Sequence, residues 1–90
     1  MNSAFLDAFD ALPEGRFNGT ARTRRYIVVK SRAAQGASQK LVAEELGGAD
    51  YISFNLYRLS SGVRLKPCEM SEDKVVAFVL ALVPDARPPQ

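Results

Sequence analysis

Tyr51-Ile52-Ser53-Phe54-Asn55-Leu56-Tyr57-Arg58-Leu59 is the stretch on which the fold turns. Ile52, Phe54 and Leu56 alternate with Tyr51, Ser53, Asn55 and Tyr57, the period of two that sends successive side chains to opposite faces of a strand. One set is apolar and the other polar or amphipathic, so the strand belongs to a sheet covered on one side only. Burial of a large apolar side chain gains about 1.5–3 kcal/mol, which points Ile52, Phe54 and Leu56 inward.

Downstream, Ser60-Ser61-Gly62 turns the chain into a further strand running from Val63 to Lys66 or Cys68. Upstream, Gly47-Gly48-Ala49-Asp50 is a turn following a strand from Lys40 to Leu46, although Ala43, Glu44 and Glu45 would also suit a helix. Gln35 to Ser38 is a loop, and Arg24 to Ser31 is a strand on the strength of its Tyr26-Ile27-Val28-Val29 centre. Arg16 to Thr20 is a weaker strand whose Asn18-Gly19 pair could instead make a hairpin turn. Connections this short predict an antiparallel meander.

Helices flank the strands. In Ser3 to Leu12, residues Phe5, Leu6, Phe9 and Leu12 form one stripe, Asp7 and Asp10 lie opposite, Ser3 is the N-cap, and Pro13 and Gly15 end the run. Ser71 to about Leu82 is a second helix, with Ser71 as N-cap, Glu72 and Asp73 in the first turn, and Pro84 as terminator. The predicted fold is α+β: an antiparallel β-meander of four or five strands with an N-terminal and a C-terminal helix packed on one face. It forms one domain over residues 1–84, with residues 85–90, including Pro88-Pro89, as a flexible tail.

Ninety residues, 47% of them hydrophobic, suffice for one core. The single cysteine, Cys68, has no internal disulfide partner, which favours a reducing compartment. The N-terminus has no basic leader, and Asp7 and Asp10 interrupt its apolar positions, so it does not read as a signal peptide. The longest apolar run, Val75 to Val83, is far shorter than the roughly 20 residues that span a bilayer. The expected location is the cytoplasm, without membrane attachment.

Histidine is absent, which removes the commonest general base and the commonest metal ligand. One cysteine and scattered carboxylates give no zinc spacing, and Glu44 and Glu45 point to opposite faces if they lie in a strand. Ser71-Glu72-Asp73-Lys74 matches a Ser-x-x-Lys pattern, but with nothing else of that set present it is a helix cap followed by a lysine. Cys68, near Lys66 and the N-terminus of the second helix, reads as a half-buried small hydrophobe, with a reactive thiol as the sharper alternative. Gly36, Gly47-Gly48 and Gly62 form no phosphate-binding spacing. The expectation is a non-enzymatic protein with no catalytic residues, metal or cofactor.

The charge distribution is more informative. Residues 15–43 hold Arg16, Arg22, Arg24, Arg25, Lys30, Arg32 and Lys40 with no acid, within a chain of net charge +2. That block predicts a contiguous positive region. If Ile52, Phe54 and Leu56 face the helices, then Tyr51, Asn55 and Tyr57 face away, and Arg64 and Lys66 join them if Val63 and Leu65 point inward. Taking Ile27 and Val29 as inward adds Arg24, Tyr26 and Lys30, although three consecutive apolar residues leave this parity open. An open face carrying Arg24, Tyr26, Lys30, Tyr51, Asn55, Tyr57, Arg64 and Lys66 has the chemistry of a single-strand platform. There cations follow phosphates, tyrosines stack on bases and an asparagine hydrogen-bonds. Tyrosines also suit strands, and cations keep a wet sheet face soluble, so an ordinary solvent face is the competing explanation.

The C-terminal helix is apolar nearly all round: Val75, Val76, Phe78, Val79, Leu80, Leu82 and Val83 surround it. A homodimer through this helix is the expectation, with cover by the N-terminal helix as the alternative. From about residue 16 to residue 83, a meander of strands followed by one helix resembles the transcriptional coactivator and Whirly-type single-stranded DNA-binding proteins. That resemblance implies dimers that bind DNA on the sheet; it matches element order and transfers no site residue. The leading expectation is a small single-stranded DNA- or RNA-binding accessory protein. The alternative is a protein–protein interaction module docking an acidic partner.

Overall fold

In the computed structural model, which describes residues 3–86, the alternating segment is the strand Tyr51–Leu59. Ile52, Phe54 and Leu56 are at most 1% exposed while Tyr51 is 42% exposed, the partition that periodicity demands. In chain order the elements are α1 (Ser3–Ala11), β1 (Gly15–Ala21), β2 (Arg24–Ala33), β3 (Ser38–Glu45), β4 (Tyr51–Leu59), β5 (Gly62–Pro67), α2 (Glu72–Ala81) and β6 (Leu82–Pro84). All neighbouring strands that pair are antiparallel, in the order β5-β4-β3-β2-β1-β6.

Both helices lie on one face. Phe5 and Phe9 of α1 are fully buried and stand beside Phe54, with ring centroids 6.1 and 5.7 Å from it. Val75, Phe78 and Val79 of α2 complete the core with Val28, Leu41, Ala43 and Leu65. Ser71 caps α2, its hydroxyl oxygen accepting a hydrogen bond from the Lys74 N–H at 3.1 Å.

The sheet has six strands, where the sequence indicates four or five. The additional strand is β6, which follows α2 directly. At Leu82 the backbone becomes extended (φ −70°, ψ 127°), and Thr20 pairs with Val83 and Ala21 with Leu82. Pro84 lacks an N–H, yet it is tolerated here because β6 is an edge strand. The end of the apolar run is therefore strand, and Val83, 65% exposed, belongs to the open face of the sheet rather than to the helix. Asp85, assigned from sequence to a flexible tail, is pinned. Its N–H donates to the Asn18 carbonyl at 2.9 Å, and its carboxylate accepts from both terminal nitrogens of Arg25 at 2.7 and 2.6 Å. Residues 87–90 of the expected tail lie outside the described residues.

The parity of β2 is the reverse of the expected one. Ile52 pairs with Ala43 and Ala43 with Val28, and directly paired residues share a face. Since Ile52 is buried, Val28 must be too. Tyr26 and Lys30 then point inward with it, while Ile27 and Val29 point outward. Tyr26 and Lys30 are 3% and 4% exposed, and Arg24 sits at the end of the same inner side, opposite Ala21. The strong strand β4 imposes its parity on β2 through two steps of hydrogen-bonded register, overriding β2's own composition.

Asn18-Gly19 is not a hairpin turn but lies within β1, and the turn falls at Arg22-Thr23 between the paired Ala21 and Arg24. Gly19 is needed where it is because β6 crosses it closely. A Cβ there would lie 2.9 Å from Leu82 Cδ1 and 3.0 Å from the Val83 carbonyl oxygen. Gly19→Val should therefore loosen β6 and lower stability by about 1–3 kcal/mol, the usual range for overpacking. Chemical denaturation measures this, and an unchanged midpoint would show that β6 contributes nothing to the cooperative unit.

Candidate nucleic-acid interface

The face of the sheet away from the helices is uncovered by any described element, and register fixes what it displays. Lys40 pairs with Asn55 and Asn55 with Lys66, so these three form one cross-strand row on β3, β4 and β5. In the adjacent row Ser38 pairs with Tyr57 and Tyr57 with Arg64. Strands lie about 4.8 Å apart, so Lys40 and Lys66 stand about 10 Å from each other with Asn55 between them. Lys40, Arg64 and Lys66 are exposed, and none of them has an ion pair among the described residues.

Of the eight residues the sequence indicates, the structure brings Tyr51, Asn55, Tyr57, Arg64 and Lys66 to this face and sends Arg24, Tyr26 and Lys30 to the other. Tyr51 is set apart from the basic corner, paired with Glu44 at the opposite end of β4. Lys40 and Arg16 are functional candidates that sequence reasoning did not assign to the face. Lys40 opposes Asn55, and Arg16 opposes the outward Val29. Residues within one strand gave no sign of them; the only usable signal was register between strands, which requires the sheet to be assembled first.

The basic block does not form one contiguous positive region, because it is divided between faces and partly neutralised. Arg32 pairs with Glu14 at 3.3 Å, Arg25 with Asp85, and Arg24 lies 4.0 Å from both Glu45 and Asp50. Lys30 is consumed inside the fold: its ammonium donates to the carbonyls of Phe9 (2.7 Å) and Leu12 (3.0 Å) at the C-terminal end of α1. Burial holds its pKa below the ordinary value.

A different asymmetry replaces the expected one. The open face carries Arg16, Arg25, Lys40, Arg64 and Lys66 against Glu44 and Asp85, a surplus of three positive charges. The helix-bearing side and the turns carry Arg22, Arg24, Lys30, Arg32, Arg58 and Lys74 against eight acids, a deficit of two. Arg87, outside the described residues, completes the net +2. Charge is thus sorted by sheet face rather than by position along the chain.

Tyr26 and Arg24 join a polar cluster on the helix side. The Tyr26 hydroxyl donates to Asp50 Oδ2 at 2.7 Å, Lys74 Nζ lies 2.9 Å from Asp50 Oδ1, and the Tyr26 ring meets Phe78 edge-on at 4.9 Å. The hydrogen bond from Tyr26, followed by that from Lys74, lowers the Asp50 pKa. Burial is the main cause raising that of Tyr26, with its bond to Asp50 second. Asp50 therefore helps stability above its unfolded value of 3.8, and that contribution fades as pH falls through its lower folded value.

Cys68 lies beside the basic corner. Its N–H donates to the Ser53 carbonyl at 2.9 Å, and Asn55 Nδ2 approaches its sulfur at 4.0 Å. Among the described residues no three histidine, cysteine, aspartate or glutamate side chains gather as a metal site, and no helix is long and apolar enough to cross a membrane. No family model, no curated protein and no solved structure matches the chain.

Proposed function

We propose that this protein is a non-enzymatic accessory protein that binds single-stranded nucleic acid across the open face of its sheet. The observation that supports it best is the acid-free corner where the Lys40–Asn55–Lys66 row adjoins Tyr57 and Arg64. Lys40, Arg64 and Lys66, with Arg16 further along the face, would track phosphates; Tyr57 would stack on a base and Asn55 would hydrogen-bond to a base edge. Stacking of this kind contributes about 1–3 kcal/mol per base and tolerates any sequence.

The test is binding to a mixed-sequence single strand at several salt concentrations. Each phosphate contact adds about −0.7 to the slope of log K against log salt, so four cations give roughly −3. Lys66→Ala should remove about one contact's worth of slope, while Tyr57→Ala should weaken binding with the slope intact, because stacking releases no counterions. Absence of binding at low salt would overturn the proposal.

A second reading, docking of an acidic protein on the same face, is favoured by the apolar centre of that face. Val29 is 44% exposed there, with Ile27 and Val42 beside it. Such a partner would depend on Val29 and Val42, which lie outside the basic corner, so Val29→Ser separates the two. The expected dimer through α2 rests on a narrower strip than the sequence suggests. With Val83 in β6, the strip reduces to exposed Leu80 and half-buried Val76.

A further inference from the structure

The sheet ends on one side in β6, three residues long and closed by Pro84, and on the other in β5, six residues long. An edge strand presents unpaired backbone groups, and register identifies them on β5. The Cys68 N–H donates to the Ser53 carbonyl, and Arg58 turns its N–H away from β5 to the carbonyl of Ala37, just before β3. In an antiparallel pair the bonded positions recur every second residue. Arg64 and Lys66, opposite Tyr57 and Asn55, therefore bond to β4, while Val63 and Leu65 direct both N–H and C=O outward. Among the described residues nothing pairs with those outward groups. Side chains alternate in step with the backbone. Leu65 is buried and Val63 half-buried against the core on the helix side. Arg64 and Lys66 are exposed on the open side, without an ion pair among the described residues. Two residues apart on one strand, they stand about 7 Å from each other.

We propose that β5 takes up an extended acidic segment of another protein as a seventh, antiparallel strand of the sheet. Directly paired residues share a face, so the segment places carboxylates opposite Arg64 and Lys66 and apolar side chains opposite Val63 and Leu65. The outward N–H and C=O groups supply the attachment, and the two cations choose the partner. The same cations turn away a second copy of this chain. Matching Val63 to Leu65 between two copies would set Arg64 against its own counterpart, and centring the pair on Leu65 would set Arg64 against Lys66. Like charges directly opposed destabilise a strand pair. The edge borders the proposed nucleic-acid corner and shares two cations with it, but its occupation needs no nucleic acid, so either reading stands if the other fails.

The experiment is a ¹⁵N-NMR titration of the full chain with an end-capped Glu-Val-Glu-Val-Glu peptide, followed by amide hydrogen exchange. In the free protein the Val63 and Leu65 amides should exchange at least about tenfold faster than those of Arg64 and Lys66, and saturating peptide should slow them by about tenfold. Glutamine in place of the glutamates should weaken binding about tenfold, the worth of two cross-strand ion pairs. N-methylation of the peptide's valines should abolish binding, whereas N-methylation of its central glutamate, whose N–H points away from β5, should leave it intact. The doubly substituted Arg64→Glu, Lys66→Glu protein should lose the glutamate peptide and bind one with lysine in its place. Val29→Ser should leave the peptide's affinity unchanged, which separates the edge from docking on the centre of the open face. No binding at millimolar peptide, or binding that survives methylation of the valines, would overturn the proposal. So would shifts centred on Lys40 and Arg16 without protection of Val63 and Leu65, the mark of undirected charge attraction. Protection of those two amides that grows with protein concentration alone would seat a second copy on the edge and overturn it as well.

Discussion

Phe54→Ala should destabilise the domain by about 3–5 kcal/mol, the range observed when a buried aromatic is truncated to alanine. Phe54 is fully buried at the centre of β4, paired with Leu41 on one side and Pro67 on the other. Above it lie Phe5 and Phe9, themselves stacked with centroids 6.2 Å apart. The substitution thus removes contacts that hold α1 to the sheet, and a short helix has little stability without them. Small domains have only about 5–15 kcal/mol in total, so the variant should sit near the edge of folding at physiological temperature. Urea titration monitored by circular dichroism gives the number. A loss below about 1 kcal/mol would remove Phe54 from the core, against the range expected for such truncations.

Lys30→Met should lower stability by about 2–3 kcal/mol, although it preserves most of the side-chain volume. The ammonium is the only described side-chain donor to the Phe9 and Leu12 carbonyls, and it also lies 4.4 Å from the centre of the Phe9 ring. Methionine leaves both carbonyls without that partner and removes a cation from the negative end of the α1 dipole. Lys40→Met on the open face should change stability by no more than about 0.5 kcal/mol, which separates burial from charge as the cause.

Lys30 also carries a pH signature. Its folded pKa lies below the ordinary 10.5, with burial the largest cause; Asp10 and Glu14 oppose the shift and Arg58 reinforces it. Between the folded and unfolded values the unfolded chain binds the extra proton, so Lys30's contribution to stability rises with pH in that window. A neutral amine still has two N–H groups for the two carbonyls, so the contacts persist. The gap between the wild-type protein and Lys30→Met should therefore widen as pH climbs toward 10.5. Tyr26, whose raised pKa works in the opposite sense above pH 10, is common to both proteins and cancels. A gap that stays constant or narrows over that window would exclude Lys30 as a titrating contributor.

Sorting charge by face has a functional consequence under the proposed nucleic-acid reading. A strand approaching the protein meets the surplus of positive charge on the open face and the surplus of acid behind it, so orientation is selected before contact. Neither feature is visible in the net charge of +2.

Whatever depends on one element at a time was legible in the order of residues alone. The period of two in residues 51–59 fixed which side chains of β4 are buried, because alternation leaves only two choices and one is strongly favoured by burial. Ser71 and the acids after it fixed the start of α2, because a cap is satisfied within one turn. What depends on pairing between elements was set by the assembled sheet. The three consecutive apolar residues of β2 carry no parity of their own, and register through Ala43 to Ile52 turned Tyr26 and Lys30 inward. Their polar tips are tolerated because Asp50 and the end of α1, distant in sequence, supply partners. Leu82–Pro84 reads as the end of a helix until β1 offers it an edge, and Gly19 leaves room for it. The basic corner of the open face is of the same kind: Lys40, Asn55, Tyr57, Arg64 and Lys66 come from three strands, and hydrogen-bonded register is what makes them neighbours.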